Sequence, residues 1–395
     1  MKKNVKNLKK ELNQRRNKKE LVYDVVGVEL KDRRLSLCRT LSSIASKICS
    51  SSYLCKIERN QITPNRYYLK EICNRLDMSD EKVKVLLNLK TTLSDVVKAF
   101  LVKDAAMIRN ARQGGIGLTN YRYRIIELIY YIFEKDYFSA NKIFSDLIKL
   151  IGNMTDYDLV IFALFSGVLS FYNQEFNIAL KTLKAINDFN CSDYIRIIKG
   201  LYLFYSYKCL NSPICIFEYD KIRKILLRNA YYDLVDEINY VLALYLIKNK
   251  YYQTYGDIYH LIKNDEYKYS LLYLSRRIIS PKTDCSKIID KTNDFCRYLE
   301  MIRIEPEKAK EMIGRLNSIM FDVDFNLLIL QYQILETDDE KMDFINNIAL
   351  PTLEKTNDQY LIDYFLEEIN ILSVTKSKYK NFSYAYKVLK QRIYG

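Results

Sequence analysis

Apolar residues recur three and four positions apart through most of this chain, the period of a helix with one buried face. Glycine and proline, which would punctuate hairpins and tight loops, number only 10 and 5 in 395 residues. The pattern predicts an all-α protein. Within residues 21–89 the period is broken by helix-start signals into five short helices. The first covers about Val22 to Ser36. The second begins at Thr40, a good N-cap, and puts Leu41, Ile44, Ala45 and Ile48 on one face, with Cys49 and Ser50 as the turn that follows. The third begins at the serines Ser50, Ser51 and Ser52 and turns Leu54 and Ile57 inward. The fourth takes Thr63 as N-cap and Pro64 as its first helical residue, followed by Leu69, Ile72 and Leu76 at helical spacing. The fifth opens "SDEKVKVLL", with Ser79 as cap and Asp80 and Glu81 near the positive end of the helix dipole.

Residues 90–120 read as a helical linker ending in "RQGGIGLTN", the Gly-rich stretch of the chain. It follows no strand and lacks the Lys-Ser/Thr ending of a phosphate loop, so it reads as a joint. Beyond it, residues 121–395 carry a loose repeat. Superposing "YRIIELIYYIFEKDYFSANKIFSDLI" on "VIFALFSGVLSFYNQEFNIALKTLKAI" brings Tyr137 onto Phe176, Ala140 onto Ala179 and Phe144 onto Leu183. Each unit is a long helix, a short turn ("EKD", "NQE") and a second helix with a small residue where helices approach closely. Similar turns recur, less regularly, at Ile247 to Tyr255 and Arg303 to Met312. A helical hairpin at this period predicts a tetratricopeptide-like α-solenoid.

Charge changes the picture at one end. The net charge is +14, yet residues 1–84 hold 21 Lys or Arg against 10 Asp or Glu, and the remainder 41 against 38. A basic head joined to a near-neutral body suits a phosphate-binding module attached to something else. Residues 1–20 read as a solvated, partly helical basic tail, with an arm following DNA phosphates as the alternative. The first residues have no apolar core of a secretory signal, and the longest apolar run, Leu159 to Tyr172, is too short to span a bilayer. A soluble, cytoplasmic protein with no membrane partner is expected. The nine cysteines form no CxxC pair and read as buried free thiols in a reducing compartment. With His260 as the only histidine, no metal site is expected, and that residue reads as a partly buried helix histidine. No catalytic grouping and no cofactor motif emerges, so an enzyme is not expected.

The second and third predicted helices have the geometry of a helix-turn-helix, whose second helix enters the major groove with its N-terminal residues at base edges. Small hydroxyls suit that place because they allow close approach and either donate or accept. The candidate DNA contacts are Thr40, Ser43, Ser50, Ser51, Ser52, Tyr53, Lys56, Arg59 and Asn60. The stretch from Leu30 to Met78 resembles the Cro/repressor-type (XRE-type) helix-turn-helix, the lambda-repressor-like five-helix domain. "SYLCKIERNQITP" from Ser52 to Pro64 is its strongest part, and it departs from the usual motif only in Cys55. That variant is similar to the one found ahead of tetratricopeptide-like repeats in Rgg/PlcR-type, peptide-sensing regulators. Cys38 and Arg39 depart from the usual loop pair, and Leu41 stands where many relatives carry a phosphate-contacting Gln. The resemblance implies sequence-specific binding of double-stranded DNA as a homodimer, a short signalling peptide bound in the repeat domain, and a structural ion pair between Arg34 and Glu58. Arg122, Tyr172, Asn173 and Asn239 are the candidate peptide contacts. Two alternatives stand beside a ligand-controlled transcriptional regulator: a protein-interaction scaffold of tetratricopeptide-like repeats, and a constitutive repressor with no ligand.

Overall fold

The computed structural model describes residues 2–15, 26–58, 62, 64–78, 92–114, 120–187 and 191–279, and shorter stretches beyond, chiefly 285–292, 337–351 and 359–375. Every regular element among them is helical, as the apolar period predicts. The chain divides into two compact units, Met1–Tyr202 and Leu203–Gly395.

The first unit opens with α1 (Lys2–Arg15), followed by the head: α2 (Val26–Ser36), α3 (Leu41–Ala45), α4 (Ser51–Glu58) and α5 (Arg66–Arg75). The expected fifth helix of the head, from Ser79, lies outside the described residues. Leu30, Ile44, Leu54, Ile57, Leu69 and Ile72 close its core, none more than 2% exposed. Two boundaries differ from the sequence reading. The helix expected to run from Thr40 to Ile48 stops at Ala45, because Lys47 adopts a positive φ of 60° and ends it. The fourth helix is capped by Asn65, whose side chain accepts from the Tyr67 N–H, and Pro64 lies before the cap; Thr63 is outside the described residues. Pro64, with a fixed φ and no N–H to satisfy, serves the approach to the cap rather than the first turn.

α6 (residues 92–101) and α7 (Ala105–Gly114) follow in the segment read as a linker, joined by Lys103 at φ 59°. Then come α8 (Tyr121–Phe133), α9 (Tyr137–Leu147), a 3-10 turn over Ile148–Asn153, α10 (Asp156–Tyr172), α11 (Phe176–Leu183) and α12 (Asp193–Cys209), which runs across the division between the units. Phe100 packs edge-on against Phe133 and Phe165 at 6.2 and 5.0 Å, so the 92–101 helix shares the core of α8 and α10. Arg112 of α7 lies over the Tyr130 ring at 4.4 Å and accepts on its carbonyl from the Tyr123 hydroxyl, which fastens α7 to α8. The joint at 115–119 is outside the described residues.

Helix ends carry the repeat. Lys103, Lys135, Gln174, Asn211 and Lys250 all have positive φ, and the last four fall at intervals of 39, 37 and 39 residues. At each, the next residue's N–H reaches back to the carbonyl five positions earlier, as in Asp136 to Tyr131, Glu175 to Ser170, Ser212 to Tyr207 and Tyr251 to Leu246. This is the paired-bond ending that satisfies the last carbonyls of a helix. The turn at Asn211 was not among those expected from the sequence. Ala140 and Ala179, superposed by the repeat, are both fully buried. Gly167 marks the tightest approach: a Cβ placed there would meet Leu183 Cδ2 at 2.6 Å. Gly167→Val is therefore expected to lower stability by about 1–3 kcal/mol through overpacking, read as a fall in urea midpoint at unchanged m-value.

The second unit holds α13 (Ile214–Arg228), α14 (Tyr232–Lys248), α15 (Tyr252–Leu261), α16 (Asp265–Ile279), α17 (Ser286–Ile289), α18 (Asp338–Phe344) continuing through a π-turn over Ile345–Ala349, and α19 (Gln359–Thr375). The last two pack around Tyr332, Phe344 and Phe365. Of the cysteines, Cys73, Cys215, Cys285 and Cys296 are buried as expected, whereas Cys38 is exposed and the others half-buried. His260, expected partly buried, lies exposed on α15 beside the Tyr259 ring. No helix among the described residues is long and apolar enough to cross a membrane.

Candidate nucleic-acid interface

Three arginines and a carboxylate hold α4 in place. Arg34 of α2 donates through Nε and Nη2 to the two carboxylate oxygens of Glu58 at 2.6 and 2.8 Å. The pair is nearly closed to solvent, with side chains 10% and 5% exposed. That hydrogen bond keeps the Arg34 guanidinium pKa above its usual value, and the fork-to-fork geometry fixes orientation as well as distance. Arg34 Nη1 also donates to the Arg39 carbonyl at 2.9 Å, pinning the loop in which Cys38 takes a φ of 51°. Arg39 donates to the Arg75 carbonyl at 2.6 Å. Arg75 in turn donates to the carbonyls of Ile44, at 3.2 Å, and Ser46, at the end of α3. Sequence reading missed Arg75. Its signal was weak, because a basic residue in the last turn of a helix ordinarily serves that helix's own dipole.

With α4 so fixed, Leu54, Ile57 and Glu58 are buried, while Ser51, Ser52 and Lys56 are exposed. Ser52 and Lys56 are one turn apart and share a face. Ser50 is the cap: its Oγ accepts from the Tyr53 N–H at 3.0 Å. Thr40 caps α3 in the same way, accepting from the Ser43 N–H, and the Ser43 hydroxyl donates back to the Thr40 carbonyl at 2.8 Å. Thr40, Ser43 and Ser50 are exposed, but their hydroxyls already have local partners. Tyr53 differs from the expected contact. It is half-buried, its ring 5.6 Å from Tyr68 in an edge contact and its hydroxyl accepting from the Asn65 N–H at 3.4 Å. Packing on α5 is its evident role. Arg59 and Asn60 lie outside the described residues. The surface left for a partner is thus Ser51 and Ser52 at the start of α4 and Lys56 in its last turn, with the exposed Thr40 and Ser43 on the preceding helix.

Of the four candidate peptide contacts, the three in the first unit do not come together. Arg122 is 2% exposed and lies at the start of α8, where its Nε donates to Asp158 Oδ2 at 2.8 Å. The same oxygen accepts from the Tyr121 hydroxyl at 2.9 Å and the Thr155 hydroxyl at 2.7 Å. Arg122 is therefore part of the scaffold, its charge engaged by Asp158. Tyr172 and Asn173 stand at the other end of α10, about 21 Å from Asp158 at the helical rise. Tyr172 stacks on Tyr137 at 5.3 Å and shares a hydrogen bond with the Tyr202 hydroxyl at 2.7 Å. Asn173 exchanges amide hydrogen bonds with Asn141 at 3.1 and 3.4 Å. Asn239 belongs to the second unit. It is fully buried, its Oδ1 accepting from Tyr219 at 2.7 Å, and its Nδ2 has no partner among the described residues.

No protein-family model matches the chain, and no curated protein matches it significantly. Among solved structures it is similar to the crystal structure of Bacillus thuringiensis PlcR in complex with the peptide PapR7 and DNA. The identity is 15%, the TM-score 0.35, and the match covers 65% of this chain and 99% of that one. At that TM-score no residue role is carried across.

Proposed function

We propose that this chain is a sequence-specific DNA-binding transcriptional regulator in which α4 enters the major groove. The observation that carries the reading is the division of α4 into an inner face locked by Arg34–Glu58 and an outer face of Ser51, Ser52 and Lys56 with nothing covering it among the described residues. A capped helix whose first turn bears small hydroxyls meets base edges and phosphates alike. The excess positive charge of residues 1–84 supplies the sequence-independent attraction. By the resemblance in the head, the chain acts as a homodimer on a two-fold site, and its repeat domain receives a short signalling peptide that controls spacing between the heads. Half-sites one helical turn apart, roughly 34–36 Å, tolerate little error in that spacing. Tyr172 and Asn173, adjacent at the end of α10, remain the proposed peptide contacts; Asn239, fully buried in the second unit, is not carried forward.

The test is fluorescence anisotropy of the full chain with duplex from upstream of its own gene, against a scrambled duplex, across a salt series. Ser51→Ala is expected to weaken native-duplex binding by about 1–3 kcal/mol while leaving the scrambled duplex unaffected. Lys56→Ala is expected to weaken both and to flatten the slope of log K against log salt by about 1. Equal affinity for the two duplexes in the wild type would reduce the head to a basic surface.

A further inference from the structure

The basic N-terminus, read from sequence as a solvated, partly helical tail, is a helix seated on the repeat. α1 rests against the Ile148–Asn153 turn, α10 and α11. Its seat is formed by Leu8 and Leu12, one turn apart and 0% and 8% exposed. Lys9 and Lys10 face solvent. A helix of 14 residues is marginal in water by itself, so its helicity and its seating stand or fall together. Two buried leucines hold it among the described residues, which puts it at the low-stability end of the molecule. Its basic side chains have an alternative that α10 and α11 do not offer. Residues 1–20 carry nine Lys or Arg against two Glu, and each cation brought to a phosphate releases a condensed counterion. Ten residues, 16–25, separate α1 from α2. Ten extended residues span at most about 33–36 Å, so a released arm stays within reach of a duplex held on α4.

We propose that α1 is a releasable latch, seated on the α10–α11 hairpin in the free protein and given up to the phosphate backbone when the head takes a duplex. Seated, it tethers the N-terminal side of the head to the repeat and keeps the arm from DNA. Released, it lengthens that tether and adds phosphate contacts. The release step rests on the DNA-binding reading above; the seat does not.

Amide hydrogen exchange of residues 5–13 in the full chain tests both parts. In the free protein these amides are expected to exchange at least tenfold more slowly than in Leu8→Asp, which unseats the helix while leaving the head intact. With saturating duplex from upstream of the gene, the wild-type protection is expected to fall to the Leu8→Asp level. The wild type should also show a salt slope about 2 steeper than a Lys9→Ala, Lys10→Ala double variant, which keeps both leucines and so keeps the seat. Fast exchange in the free wild type would overturn the seat. Protection that survives saturating duplex would overturn the release. Protection in the free protein with no duplex binding at all would sink the DNA-binding reading and the release together, while leaving the seat standing.

Discussion

Glu58→Ala is expected to cost the head about 3–5 kcal/mol, the range for removing one partner of a buried ion pair and stranding the other. The stranded group is Arg34, which keeps its hydrogen bond to the Arg39 carbonyl but loses both to carboxylate. Domains of ordinary stability have only about 5–15 kcal/mol to lose, so such a change leaves little of the folded head. Amide hydrogen exchange of α4 and α5 across a urea series reports it at the head, where Tyr53 and Tyr68 are in ring contact. Arg34→Met with Glu58→Leu is the informative companion. A buried pair replaced by apolar residues of similar volume is often neutral or stabilising. If the double variant is stable and binds DNA as before, the pair positions α4 no better than packing would. If it is stable and loses sequence preference, orientation is what the fork-to-fork contact supplies. A shift below about 1 kcal/mol in Glu58→Ala would instead place the pair with surface ion pairs of little worth.

Asp158→Ala is expected to have an effect of the same size for a different reason. One oxygen, Oδ2, accepts from Tyr121, Arg122 and Thr155, and the ion-pair side chains are 0% and 3% exposed. Truncation would strand a buried guanidinium and two hydroxyls, again about 3–5 kcal/mol. Burial, and then the Asp158 carboxylate, push the Tyr121 hydroxyl far above its ordinary pKa, so it remains a donor throughout the working pH range. Asp158→Asn keeps an acceptor but not the charge, and is expected to fall between wild type and Asp158→Ala in urea midpoint. Equal stability of all three would mean that solvent reaches the site and satisfies the stranded groups.

The head was largely legible because its signals are local. Thr40 caps where its side chain predicts, and Leu54 and Ile57 face inward because the spacing leaves them no other side, whereas Ser50, read as a turn residue and DNA contact, is the cap of α4. The Arg34–Glu58 pair came only through resemblance, since nothing in the separation of two charges along a chain says that they meet. Tyr53 shows the limit: an aromatic on the outer half of a short helix reads as exposed until the neighbouring helix brings Tyr68 to it. In the repeat, the period was readable but the polar residues were not. Arg122 looked available because arginine is rarely fully buried, and its partner Asp158 stands 36 residues away. The seat of α1 was hidden for a similar reason. Two leucines among nine cations carry no pattern of their own, and the surface that receives them belongs to another repeat.

Eight of the nine non-glycine residues with positive φ, from Cys38 to Lys250, close helices with the same paired hydrogen bonds. Each joint holds an L-residue in a conformation that costs about 1–2 kcal/mol and that glycine would adopt freely. A hairpin in isolation therefore begins with a deficit at its own corner, and only packing against neighbours makes it good. In the language of a one-dimensional array, low intrinsic stability per unit with strong coupling between units favours all-or-none behaviour over fraying from the ends. Within one unit such an array transmits a local disturbance from hairpin to hairpin, where glycine corners would let each yield alone.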